Sequence, residues 1–223
     1  MSDARDTILS AVRAALSNRA PDSARIQQEA AGLLDALPQS RPALNDRDRL
    51  EVFAERIASP KVEATLGYIH AISELPDAVA QYLQANALPP EIALQPAAAL
   101  QALDWSGFAV HAEMALDERV GIGLADAGIA ETGSLVFHSG PETPVLASFL
   151  PLHHIVLLRA STMLMYLDDY AATLGPHGGS WRNVNIITGA SGTTDIEGSL
   201  VMGAHGPCQL HIVMLLDGVR PSV

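Results

Sequence analysis

Two stretches of this 223-residue chain concentrate the residue types that do chemistry. The first runs Gly128-Ile-Ala-Glu131-Thr132-Gly133-Ser134 into an apolar run ending at His138. The second runs Thr188-Gly189-Ala-Ser191-Gly-Thr193-Thr194-Asp195-Ile-Glu197, and the loop His205-Gly206-Pro-Cys208 follows it. Glu131 lies between a flexible turn and a run apolar enough to be buried. Desolvation there raises a carboxyl's pKa toward values useful to an acid, a base or a nucleophile. The same pattern also suits a carboxylate that only accepts backbone N–H groups in a tight turn. In the second stretch the glycines allow close backbone approach, and the Thr and Ser hydroxyls can hold a carboxylate or phosphate. Against that stands a capping box, Thr194 with Glu197 three residues on, starting a short helix that Gly203 ends. Asp195 then complements the helix dipole. The ligand-binding set is thus Thr132, Gly133, Thr188, Gly189, Ser191, Thr193, Thr194, Asp195, Glu197, His205 and Gly206, with Glu131 as the catalytic candidate.

Other chemistries find little support. His138, His153, His154, His205 and His211 lack any His-x-x-x-His pair or comparable metal-ligand spacing, so no metal site is expected. His153 and His154 are neighbours and in a strand must face opposite sides. The single cysteine, Cys208, excludes an internal disulfide and a Cys-ligated iron–sulfur cluster, and it reads as a packing residue. Neither a phosphate-binding P-loop, a dinucleotide fingerprint nor a Gly-x-Ser-x-Gly elbow occurs.

The elements that must position these residues follow from periodicity. Ile8, Ala11, Val12, Ala15 and Leu16 recur at helical spacing, as do Ile26, Ala30, Leu33, Leu34 and Leu37, with Pro21 and Pro38 as punctuation. A third helix is predicted after Asn45 or Asp46, burying Leu50, Phe53, Ala54 and Ile57. From Lys61 the period becomes two. A helix is predicted from Ser73 to Ala87 and another over Met163–Leu174. Strands are predicted near Val62–Tyr68, Ile92–Leu94, Phe108–His111, Val120–Gly123, Ser134–His138, Ile155–Leu158, Val184–Ile187 and Leu210–Leu216. Strands apolar on both faces belong to a sheet covered on each side, so the expectation is a three-layer α/β/α domain with a mostly parallel or mixed sheet. Composition shifts near Ser59-Pro60, which divides the chain into a helical arm, 1–58, and an α/β domain, 59–223. The arm holds 8 Arg and 9 acidic residues, the remainder five basic and sixteen acidic. A net charge of −12 argues against nucleic acid and anionic membranes. Mean hydropathy is +0.20, yet no apolar run approaches the roughly 20 residues of a membrane span. The expected compartment is the cytoplasm, and the arm is a candidate for homo-oligomer assembly.

Ile129-Ala-Glu-Thr-Gly-Ser-Leu135, Leu150-Pro-Leu-His-His-Ile-Val156, Ile187-Thr-Gly-Ala-Ser-Gly-Thr-Thr-Asp-Ile-Glu197 and Gly203-Ala-His-Gly-Pro207, with Leu103-Asp-Trp105, resemble in order and spacing the LUD-domain family, in its lactate-utilisation protein C branch. The likeness covers about residues 60–217. One departure is Ala190-Ser191-Gly192 where that family usually has Pro-Ser-Arg, which removes a cation from the glycine loop. The resemblance implies a NagB/RpiA/CoA-transferase-like fold. It also implies a place in converting L-lactate to pyruvate beside partner subunits that carry iron–sulfur clusters, this chain having no redox cofactor of its own. Two alternatives stand beside it: a transferase or hydrolase using Glu131, as CoA transferases of that fold use a glutamate beside a glycine turn, and a non-catalytic scaffold or regulatory subunit. With few cations available, an anion would be held by backbone N–H groups, hydroxyls, His205, Arg159 or Arg182. A small organic acid suits that inventory better than a polyphosphate.

Overall fold

Long apolar runs rich in Val, Ile and Leu leave no solvated face, and the chain buries them as a parallel sheet between two covering layers. The computed structural model describes residues 2–15, 22–44, 46–111, 113–116, 118–174, 181–194 and 198–218. Contacts divide it into two units, residues 1–42 and 43–223.

The first unit contains α1 (Ser2–Ala15) and α2 (Ser23–Ser40). Asp22 caps α2 by accepting Ala24 N and Arg25 N at 3.1 and 3.3 Å. Pro38, expected to end this helix, lies inside it. The break comes at Arg41, which is extended at ψ 142° because the ring of Pro42 disfavours the α region for the residue before it.

In the second unit, α3 (Arg49–Ile57) is capped by Asp48 through Leu50 N and Glu51 N. Six strands form a sheet in the order β1-β12-β7-β4-β2-β3, and each pairing within it is parallel. They are β1 (Ala64–Ile69), β2 (Glu91–Leu94), β3 (Ala109–His111), β4 (Val120–Leu124), β7 (His153–Arg159) and β12 (Gln209–Leu215). One face is covered by α4 (Leu75–Ala85), with Pro76 in its first turn, and by the short α5 (Ala98–Gln101). Leu75, Val79, Leu83 and Leu100 pack there against Ile122, Ile155, Leu157 and Val213.

The other face carries α3 and a second sheet, ordered β8-β5-β6-β9. This sheet is mixed, from β5 (Ala127–Ile129), β6 (Ser134–His138), β8 (Met163–Leu164) and β9 (Val184–Ile187). Phe53 and Ile57 of α3 share one core with Leu135 and Phe137 of β6 and with Val156, Leu158, Ile212 and Met214 of the parallel sheet. The second sheet's far side packs Ile129 and Val136 against Tyr170 of α6 (Leu167–Thr173).

Three expectations change. The boundary drawn at 58/59 followed charge, but the four buried apolar residues of α3 make it part of the second unit, which begins at Ala43. Met163 and Leu164 do not start a helix; they add an edge strand beside Gly128 and Ile129, and α6 begins only at Leu167. Among the described residues, none from Gly198 to Gly203 is helical, although a helix is expected to end there. Gly192–Thr193 (β10) pairs antiparallel with Val201–Met202 (β11), while Glu197, the second member of the capping box with Thr194, and Asp195 lie outside the described residues.

Candidate functional site

The first turn leaves β5 at Ala130 and enters β6 at Ser134. Gly133 closes it in the left-handed region at φ +70°, and its N–H donates to Ile129 O at 3.0 Å. A Cβ at Gly133 would stand 2.9 Å from Arg56 Cβ, so glycine is required by conformation and by the close passage of α3. Arg56 Nε in turn donates to Glu131 O at 2.9 Å. Glu131 Oε1 accepts Leu167 N at 2.6 Å, at the first residue of α6. This carboxylate therefore does the work that a capping side chain normally does from within the helix segment. The carboxylate is thus a backbone acceptor, as in the alternative raised above, but its donor lies at the start of a distant helix and not in its own turn.

The second segment meets the first through hydroxyls. Ser134, 2% exposed, has its Oγ 2.7 Å from Thr132 Oγ1 and 2.5 Å from Thr188 Oγ1. The pairing of β6 with β9, Leu135 opposite Ile187, sets this register. Thr132 and Thr188 are themselves exposed, so the buried Ser134 links two accessible hydroxyls. After Thr188 the chain turns at Gly189, φ +76°, where a Cβ would fall 1.8 Å from Val62 O. Ala190 N then donates to Val62 O at 3.1 Å, fastening the turn to the segment before β1.

Ser191 belongs to a neighbouring loop: its N–H donates to Pro207 O at 2.8 Å and its carbonyl accepts Gly203 N at 2.7 Å. Gly206 lies against it, with space for a Cβ only 3.2 Å from Ser191 Cβ. Thr193 lies in β10, and Thr194 and His205 are exposed on either side of that hairpin. The structure thus joins Glu131, Thr132, Gly133, Ser134, Thr188 and Gly189, and gathers Ser191 with Gly206 through a second set of backbone bonds. Arg56 was missed in the sequence because charge counting placed it in the arm. Its signal was position: the last turn of a helix whose apolar stripe demanded a covering layer. Arg182, considered for anion binding, lines a different cavity with Ser139, Thr143 and Asn183.

The histidines are distributed as packing and hydrogen-bonding groups. His153 meets Tyr82 OH through Nδ1 at 3.0 Å on the α4 face, whereas His154 stacks on Phe137 on the opposite face. His211 Nδ1 lies 2.7 Å from Thr65 Oγ1, and His138 Nε2 lies 2.7 Å from Tyr170 OH. Burial pushes His154 and His211 down to about 4, so both imidazoles are neutral at neutral pH. Among the described residues no three His, Cys, Asp or Glu side chains converge as metal ligands. The Cys208 thiol donates to Met202 O at 3.5 Å, and one thiol cannot supply the ligand set of an iron–sulfur cluster.

The profile of the LUD domain matches residues 55–215, which takes in both turns, the parallel sheet and the second sheet. The chain belongs to the LUD domain family. Curated relatives of this LUD domain include lactate utilization protein C of an Exiguobacterium species, 35% identical over 109 residues, 47% of each chain. Lactate utilization protein C of Geobacillus kaustophilus is 34% identical over 102 residues, 44% of this chain and 42% of that one. An uncharacterized protein of Neisseria meningitidis serogroup B is 39% identical over 106 residues, 46% and 45% of the two chains. The matched stretch spans under half the length of each of these relatives. A crystal structure of a DUF162 family protein from Deinococcus radiodurans superposes with a TM-score of 0.51 at 22% identity, covering 76% of this chain and 99% of that one, and shares the fold. No helix among the described residues is long and apolar enough to cross a membrane.

Proposed function

We propose that this LUD domain serves lactate utilisation, as the subunit that holds the small monocarboxylate while partner subunits bearing iron–sulfur clusters accept the electrons. Oxidation of L-lactate to pyruvate removes two electrons and two protons from the carbinol at C2. A single thiol cannot hold an iron–sulfur cluster, so on this reading the cluster that accepts them is carried by a partner chain. What supports the reading is one juxtaposition: Ser134 Oγ lies 2.5 Å from Thr188 Oγ1, which unites the two segments that carry the family likeness. Around it, whichever of the Thr132 and Thr188 hydroxyls does not spend its hydrogen on Ser134 can donate to a carboxylate, and Arg56 brings the cation that Gly192 lacks. The names of the two lactate utilization protein C relatives point the same way.

The test is growth. A strain deleted for this gene is expected to grow on pyruvate and to fail on L-lactate as sole carbon source. Restoring the intact gene recovers growth, and restoring Thr188→Val leaves it impaired. Normal growth of the deletion strain on L-lactate would overturn the proposal.

A further inference from the structure

The parallel sheet changes direction between β2 and β4. From β2 the chain steps outward to the edge strand β3, whereas from β4 it proceeds the other way, through β7 to β12. The segments leaving these two neighbouring strands part to opposite faces. Leu100 of α5 enters the core beneath α4, and Ala125, just past β4, enters the core shared with the second sheet. Divergence of this kind opens a crevice at the carboxyl ends of the strands, the place where open parallel sheets take ligands.

A cavity of about 350 Å³ lies there, lined by Leu94, Gln95, Met114, Leu146 and Leu150 among others, with Glu113 as its charged residue. That volume falls within the range of small-molecule pockets. Two glycines of β4 keep it in shape. A Cβ at Gly121 would strike Pro151 Cγ at 2.3 Å and crowd Met114 Cε at 3.3 Å, and one at Gly123 would lie 3.2 Å from Gln95 Oε1.

The polar groups decide what fits. Gln95 is 3% exposed, and its Nε2 donates to Glu142 O and Thr143 Oγ1 at 2.9 and 3.1 Å, which uses both amide hydrogens. Its Oε1 accepts Leu124 N at 2.9 Å and retains a second lone pair. Backbone donors at Gln95, Ala147 and Leu150 are spent on Ile122 O, Pro144 O and Leu146 O. Pro96 and Pro144, also in the lining, have no N–H at all. What these groups offer is therefore acceptors in an apolar wall, and beside the carboxylate of Glu113 that balance favours a cation over a carboxylate or phosphate.

We propose that this cavity is a binding site for an apolar amine. Its hydrocarbon part seats among Leu94, Met114, Leu146 and Leu150, and its ammonium faces Glu113 and Gln95 Oε1. The site is separate from the hydroxyl pair at Ser134 and Thr188 and stands whether or not the chain serves lactate utilisation.

The full chain, labelled at its methionine methyls, is titrated with phenethylammonium and, separately, with phenylacetate in 150 mM salt, and the Met114 signal is assigned from Met114→Leu. Phenethylammonium is expected to shift that signal saturably, and phenylacetate to leave it unmoved. Glu113→Gln weakens amine binding by up to about fivefold, as for a solvent-exposed ion pair. Leu146 is 60% exposed, so Leu146→Lys tests the charge logic without disturbing the core; it abolishes amine binding. Equal binding of the two probes, an unmoved Met114 signal, or undiminished amine binding by Leu146→Lys would overturn the assignment.

Discussion

The six-stranded and four-stranded sheets share one core and differ in what they leave to solvent. In the parallel sheet, β7 and β12 are buried on both faces by α4 and by the second sheet, and the histidine at its heart, His154, is held neutral. In the four-stranded sheet β5, most of β6 and Met163 of β8 are buried, whereas β9 presents Val184 and Ile186 as exposed residues. Its strand ends carry Thr132, Ser134 and Thr188. Stability and polar chemistry are therefore concentrated in different layers, with Phe137 and Ser134 as the points at which the second layer touches each role.

Three experiments can break or sharpen that division. Phe137 is 1% exposed between the two sheets, so Phe137→Ala is expected to cost about 3–5 kcal/mol in urea unfolding and to keep a single transition. Two separated transitions would show that the second sheet is an independent appendage. His154 gives a pH-dependent measure of the parallel layer. Its pKa is about 4 in the folded state against 6.5 ordinarily, so the unfolded chain takes up the proton first. Its contribution is complete above pH 6.5 and is lost as pH falls toward 4, by about 3 kcal/mol at most. Guanidinium titrations of His154→Leu at pH 4.5 and 7.5 should show a flatter acid-side fall than wild type; an unchanged slope would place that acid sensitivity elsewhere. The smallest effect belongs to Ser134→Ala, expected to lower stability by about 1 kcal/mol while impairing growth on L-lactate. A variant that loses stability but complements growth fully would reduce Ser134 to a packing role.

Much of this was legible because burial imposes period and composition. Ile155–Leu158 and Leu210–Leu216 are apolar on both faces, and both became interior strands of the parallel sheet. His153 and His154 parted to opposite faces as alternation requires. Local sequence failed where partners far along the chain decide the outcome. Met163 and Leu164 suit a helix as well as a strand, and pairing with Gly128 and Ile129 settles them as β8. Charge counting put α3 in the arm, while the burial of Leu50, Phe53 and Ile57 puts it in the core. At the site, Glu131, Thr132 and Thr188 could be singled out by type. Their contacts with Leu167, Ser134 and Arg56 depend on three separate elements meeting at one turn, which no spacing within either motif encodes.

The position of β12 has a kinetic consequence. Residues 209–215 form an interior strand, wedged between β1 and β7, and β12 is the sole pairing partner of β1 among the described strands. Ala64 must find Leu210 across most of the domain's length, a topology that makes closure slow. During synthesis β7 emerges with its future neighbour still unmade, so an open strand edge stays available until residue 215 leaves the ribosome. During that interval the chain is exposed to pairing with the wrong partner.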